Sequence, residues 1–226
     1  MRTVIKISSF FLCSFLVFSC SKGGDGTPEE NNVGYVQIAD TKMDLAQAYL
    51  EDYGEFESGV YNLDLSILSK AAQTSDTEQA AVYFEMFSST AKDLAVGEYT
   101  VGVYPDVKAN NYSTSSELLI GTELKFNTSE QVFEIKNGLV VRPTSGTMRI
   151  ISASSTEYEV RYQGYGDVTE YKTNLEPTYK TDVAIKAYYK GSMKYYEGEE
   201  VPYSTESSAS DSQSRKLRRN FVNQAN

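Results

Sequence analysis

The sequence predicts an all-β fold: an antiparallel β-sandwich or, as the alternative, a lipocalin-like or other closed β-barrel. Three observations carry that expectation. Short runs alternate apolar and polar residues, which is the period of a half-buried strand. Clusters of Gly, Asn, Ser and Pro separate the runs at the spacing of hairpin turns. Tyrosine is abundant, with 18 residues, whereas tryptophan is absent; phenol rings at that density suit pleated surfaces with one dry face.

Residues 41–53 admit two readings. Met43, Ala46, Leu50 and Tyr53 fall at helical spacing between Asp40 as a cap and Gly54 as a stop, while Ala46, Ala48 and Leu50 alternate as in a strand. The strand is preferred because hairpin patterns follow. In residues 61–68 (YNLDLSIL), Tyr61, Leu63, Leu65 and Ile67 alternate with Asn62, Asp64 and Ser66. Residues 80–87 (AAVYFEMF) are rich in β formers and are expected to pair with that strand across the polar loop 69–78. Residues 97–104 alternate Tyr99, Val101 and Val103, and Pro105 ends the run.

A loop is expected at 113–116, then short strands at 118–126 and 131–135, the second turning at Asn137-Gly138. Residues 146–153 and 157–163 form the next expected hairpin. Tyr158, Val160 and Tyr162 share one of its faces; Glu157, Glu159 and Arg161 share the other. Residues 172–180 read as a polar loop, and strands at 183–189 and 193–196 flank Lys190-Gly191-Ser192. Segments 61–104 and 147–196 both hold a strand, a Tyr-rich partner and a Gly-marked third strand. The β domain, residues 35–200, is therefore expected to contain two related halves.

The N-terminus speaks to location. Arg2 and Lys6 precede the apolar run 10–18, which is too short for the roughly 20 residues that span a bilayer, and Ser19-Cys20 follows. Residues 1–19 are expected to be a cleaved signal peptide, and LVFSC resembles the lipobox of bacterial lipoproteins. That resemblance implies that Cys20 is acylated and becomes the new N-terminus. One acyl chain anchors marginally and two signals anchor stably, so a fully acylated cysteine would hold the protein at the membrane. Residues 20–34 read as a lipidated, flexible tether, and residues 201–226 as a disordered, Ser-rich tail bearing one basic cluster, RKLRR at 215–219.

Composition excludes several chemistries. Losing Arg2 and Lys6 with the signal takes the net charge from −10 to −12, which argues against a nucleic-acid partner. Cys13 leaves with the signal and Cys20 carries lipid, so the domain has no thiol for a disulfide, a nucleophile or a metal. Histidine is absent altogether, which removes Ser-His-Asp triads and the common zinc and iron sites. No EF-hand-type calcium loop or phosphate cradle is present, and no cofactor is expected. A carboxylate glycosidase remains conceivable, with Glu85, Glu157 and Glu159 as candidates on expected strands.

With YNLDLSIL (61–68), VYFEMFS (82–88), LAVGEYTV (94–101), SGTMRI (145–150), YEVRYQGYGD (158–167) and IKAYYKGSMKY (185–195) in view, the chain resembles the all-β surface lipoproteins of gut Bacteroides-type bacteria. The resemblance implies location and fold class, and no catalytic residue. The expected location is the bacterial cell envelope, at the outer membrane through Cys20. The expected role is a non-catalytic binding or structural module whose partner is a glycan or another envelope protein. A small apolar ligand carried in a barrel and a glycosidase are the alternatives. Tyr162, Tyr165, Tyr171 and Tyr179, read as lying on or near loops after a strand, are the expected ligand contacts, because exposed rings stack on sugars or anchor partners.

Overall fold

The computed structural model describes residues 7–8, 32–69, 79–104, 106–122, 125–127, 132–134, 137–154 and 157–197. Cys20, the tether up to residue 31, the basic tail and most of the signal lie outside the described residues, as does most of the loop expected at 69–78. Every regular element described is a strand. In chain order these are β1 (Ile7–Ser8), β2 (Val33–Ile38), β3 (Thr41–Leu45), β4 (Gln47–Glu57), β5 (Val60–Leu68), β6 (Gln79–Ser88), β7 (Gly97–Gly102) and β8 (Asn111–Ser113). They continue with β9 (Glu117–Thr122), β10 (Lys125–Asn127), β11 (Val132–Glu134), β12 (Asn137–Ala153), β13 (Tyr158–Tyr171), β14 (Thr178–Gly191) and β15 (Met193–Glu197).

The expected all-β class is what the structure has, and residues 41–53 are strand throughout except at Ala46. Twelve strands form one sheet in the order β15-β4-β5-β6-β8-β7-β12-β13-β14-β2-β3, with β9 bridging β12 and β6; β1, β11 and β10 form a small second sheet. The pairings β6–β8, β8–β7, β7–β12, β12–β9 and β9–β6 close a circuit of five strands. One continuous sheet with a closed circuit of pairings is consistent with the barrel alternative.

Register explains the circuit. On β6, residues 79–83 pair with β9 and Met86–Phe87 with β8; on β12, residues 137–141 pair with β9 and 147–150 with β7. One strand therefore separates β6 from β12 at one end and two separate them at the other. The sheet flares by one strand, and large rings fill the added width. Phe84, Tyr112 and Tyr162 meet with centroids 4.9 to 5.7 Å apart, and Tyr99 is fully buried near the same end. Aliphatic residues, among them Val82, Leu118, Ile120 and Val141, fill the narrow end. Among the described residues, these buried side chains form one contiguous core inside the sheet.

Two glycines let β12 and β13 approach closely where β12 shifts register between Pro143 and Ser145. A Cβ at Gly164 would lie 2.1 Å from the Ser145 carbonyl oxygen and 2.4 Å from the Tyr162 hydroxyl. Gly146 sits at φ +138°, and its Cβ would meet the Gln163 carbonyl oxygen at 2.6 Å. The Tyr162 hydroxyl uses this gap to donate to the Ser145 carbonyl at 3.0 Å, and that of Tyr112 donates to the Gly146 carbonyl at 3.2 Å. Gly164→Ala is expected to destabilise the fold by about 1–3 kcal/mol in urea denaturation, the scale of overpacking. Part of that loss should disappear in a Tyr162→Phe background, which removes one of the three clashing atoms; strictly additive losses would contradict this geometry.

Candidate binding site

Three strand ends meet on one side of the narrow end. Ile120 of β9, Leu139 of β12 and Glu170 of β13 are successive cross-strand partners, with Leu139 in the middle, and Gly121, Gly138 and Tyr171 form the adjacent row. With Thr41 at the start of β3, these residues line an open pocket of about 330 Å³, completed by Thr122, Asn137 and Lys172. Its volume is at the lower end of the range for ligand clefts. Ile120 is fully buried and Leu139 packs against the core, so they give the pocket an apolar base. The two glycines leave Tyr171 as the one side chain of its row.

Charge at the rim is organised around Glu170. Its carboxylate accepts from Lys172 Nζ at 2.8 Å and Lys180 Nζ at 3.2 Å. Those hydrogen bonds, Lys172 first, hold Glu170 below the ordinary carboxylate range. It therefore remains ionised through neutral and mildly acidic pH. Falling pH protonates it only as the pH passes that lowered value, when both lysines lose their partner. The three side chains are solvent-accessible, so the network orients the rim and adds little stability. Tyr171 is pushed above the usual phenol value, chiefly by burial and then by the proximity of Tyr179. It stays a neutral hydrogen-bonding ring. Asn137 Oδ1 accepts from the Thr173 backbone N–H at 2.8 Å, which ties the turn after β13 to the pocket wall.

The four tyrosines expected near loops lie within strands, Tyr162, Tyr165 and Tyr171 in β13 and Tyr179 in β14. For Tyr162 the expected surface role is corrected: it is 2% exposed and belongs to the ring cluster of the core. Tyr165 is exposed, paired opposite Ala184 and away from the pocket. Tyr171 lines the pocket, and the exposed Tyr179 stands opposite Thr169, beside it. The structure thus brings Tyr171 and Tyr179 together and separates them from the other two.

The candidate carboxylates do not converge. Glu159 pairs with Arg161 at 2.6 Å and Glu157 with Lys190 at 3.5 Å. Glu85 lies on β6 directly opposite Asp64 of β5, both less than one-tenth exposed. Burial, followed by the charges of Asp64 and Glu85, drives the Tyr83 phenol well above its ordinary value. No group of three or more acidic or thiol side chains among the described residues is arranged to hold a metal ion. Sequence reasoning missed Asn137, Glu170 and Lys172, because Asn137-Gly138 reads as a turn and 172–180 as a loop. It also passed over Asp64, although the alternation of YNLDLSIL places that acid opposite the core face. No protein-family model, curated protein or solved structure matches this chain.

Proposed function

We propose that this chain is an exported envelope lipoprotein, anchored through Cys20 at the outer membrane, whose β domain is a non-catalytic binding module for a glycan or an envelope protein. The pocket at the ends of β9, β12 and β13 carries this reading. It joins an apolar base and the Tyr171 ring to a polar rim of Asn137, Glu170 and Lys172, the combination that recognises a sugar's apolar face and its hydroxyls. The contiguous core favours recognition at this pocket over ligand storage inside the sheet.

Two measurements test the proposal. Cells fed labelled palmitate should label the wild-type chain and leave Cys20→Ala unlabelled; labelling of both, or of neither, removes the anchor from the reading. Full-length protein in detergent, screened on a glycan array and against envelope extracts, should retain a partner without releasing free sugar. Tyr171→Ala or Glu170→Gln should then weaken retention about tenfold, equivalent to roughly 1.4 kcal/mol. Release of sugar that stops in Asp64→Asn or Glu85→Gln would replace the binding module with a hydrolase.

A further inference from the structure

The outward face of the long strands carries two uninterrupted ladders across six strands. In one, Thr100, Thr147, Gln163, Lys186, Gln37 and Lys42 are successive cross-strand partners through β7, β12, β13, β14, β2 and β3. It contains no carboxylate, although the chain is acidic overall. At about 4.8 Å between strands, the row is about 24 Å long. The neighbouring ladder runs Glu98, Arg149, Arg161, Tyr188, Tyr35 and Asp44, with acids at its two ends and cations and rings between. Tyr35 and Tyr188 lie 5.9 Å apart, Lys42 sits 4.1 Å over the Tyr35 ring, and Arg161 lies 5.6 Å from the Tyr188 ring centre.

We propose that this face binds an extended carboxylated polysaccharide, a polyuronate, along the two ladders. Each residue class has a part. The phenol rings present flat surfaces for sugar faces. The amide of Gln163 offers donors and an acceptor to hydroxyls, and that of Gln37, whose nitrogen donates to the Ala39 carbonyl at 2.9 Å, keeps its oxygen and a second N–H for them. Arg149 and Arg161 stand directly opposite one another, a like-charge pairing that costs energy on a sheet and is offset by Glu98 and Glu159 at their outer sides. Lys42 and Lys186 pair with no carboxylate among the described residues, so their charge is available to a ligand's carboxylates. An acidic peptide would use the cations but offers no flat sugar face to the paired rings. This face is separate from the pocket, and the inference does not depend on the pocket's having a ligand.

Affinity electrophoresis of the full-length protein through gels containing polygalacturonate, uncharged dextran or polyglutamate tests it. Polygalacturonate should retard the wild type, dextran should not, and polyglutamate should retard it much less. The double variant Lys42→Glu with Lys186→Glu should lose at least about tenfold in apparent affinity, and added salt should weaken retardation. Tyr35→Ala and Tyr188→Ala should also weaken it. If either half-buried tyrosine variant melts early, Gln163→Glu, at an exposed position, supplies the same test with the fold intact. Tyr171→Ala in the pocket should leave retardation unchanged. The proposal is overturned by absence of retardation, by equal retardation in polyglutamate, or by retention that survives the ladder substitutions. Loss of pocket binding alone would leave it standing.

Discussion

Tyr162→Ala is expected to remove about 3–5 kcal/mol of folding free energy, the range for deleting a large buried ring. Domains of ordinary stability have only about 5–15 kcal/mol in total, so this single change takes a large share. The ring contacts Phe84 and Tyr112 with centroids 4.9 and 5.7 Å away, and its hydroxyl satisfies the Ser145 carbonyl where β12 shifts register. Both the cavity and the orphaned carbonyl contribute. Tyr162→Phe separates them: it keeps the ring and should cost about 1 kcal/mol for the hydrogen bond. Tyr179→Ala, on an exposed ring, should stay within about 0.5 kcal/mol of the wild type. Urea denaturation with a constant m-value measures all three. A Tyr162→Ala midpoint equal to that of the wild type would mean that the ring is not part of the core.

The second large effect is alkaline. Tyr99, Tyr112, Tyr158, Tyr162 and Tyr189 all have phenols raised above the ordinary value, in every case chiefly through burial; Tyr158 is raised further by its hydrogen bond to Asp93. Below about pH 10, the ordinary phenol value, folded and unfolded chains hold these protons equally, and the stability is fully present. Above that value the unfolded chain releases protons that the folded one retains. Each such tyrosine then withdraws about 1.4 kcal/mol per pH unit until its folded pKa is reached. Several acting together should produce a steep, cooperative unfolding at alkaline pH. The chain has no histidine, so no imidazole adds a transition near neutrality. Tyrosinate absorbance and the far-ultraviolet strand signal, followed in one titration, should change together for the buried phenols. Their ionisation while the strand signal persists would rule this mechanism out.

Alternation made β5 and β7 legible and richness in β formers β6, although β5 and β6 prove to be buried on both faces, Asn62, Asp64 and Glu85 included. The long strands were harder to read, and glycine is the reason. Gly164 and Gly166 look like an end to the strand beginning at Tyr158, yet β13 passes through both, because the Ser145 and Arg142 carbonyls come too close there to admit a Cβ. Asn137-Gly138 looks like a hairpin turn, but its neighbours on both sides, Thr122-Gly121 and Tyr171, draw it into β12. β2 went unassigned, its first two residues read as tether, because six residues beside a polar leader give little period; its partner, β14, lies some 150 positions away and leaves no local trace. The pocket was hidden for the same reason. Tyr171 could be singled out by residue type, whereas Asn137, Glu170 and Lys172 acquire meaning only when three strand ends are aligned. For Tyr162 the signal was present: it shares the face of Tyr158 and Val160, and that face is the core.

The first strand of the large sheet, β2, is also among the last to gain its full set of partners. β2 requires β14, Asn32 accepts from the Ser192 backbone N–H, and β15 lies parallel to β4. β2 pairs locally with β3 and β4 with β5, but the second edge of β2 and the outer edge of β4 stay open until residues 178–197 have been made. Chains dominated by such distant pairings fold slowly. On the proposed reading of an exported lipoprotein, this delay would be useful: the chain stays threadable until residues 178–197 have crossed, and only then can the sheet close.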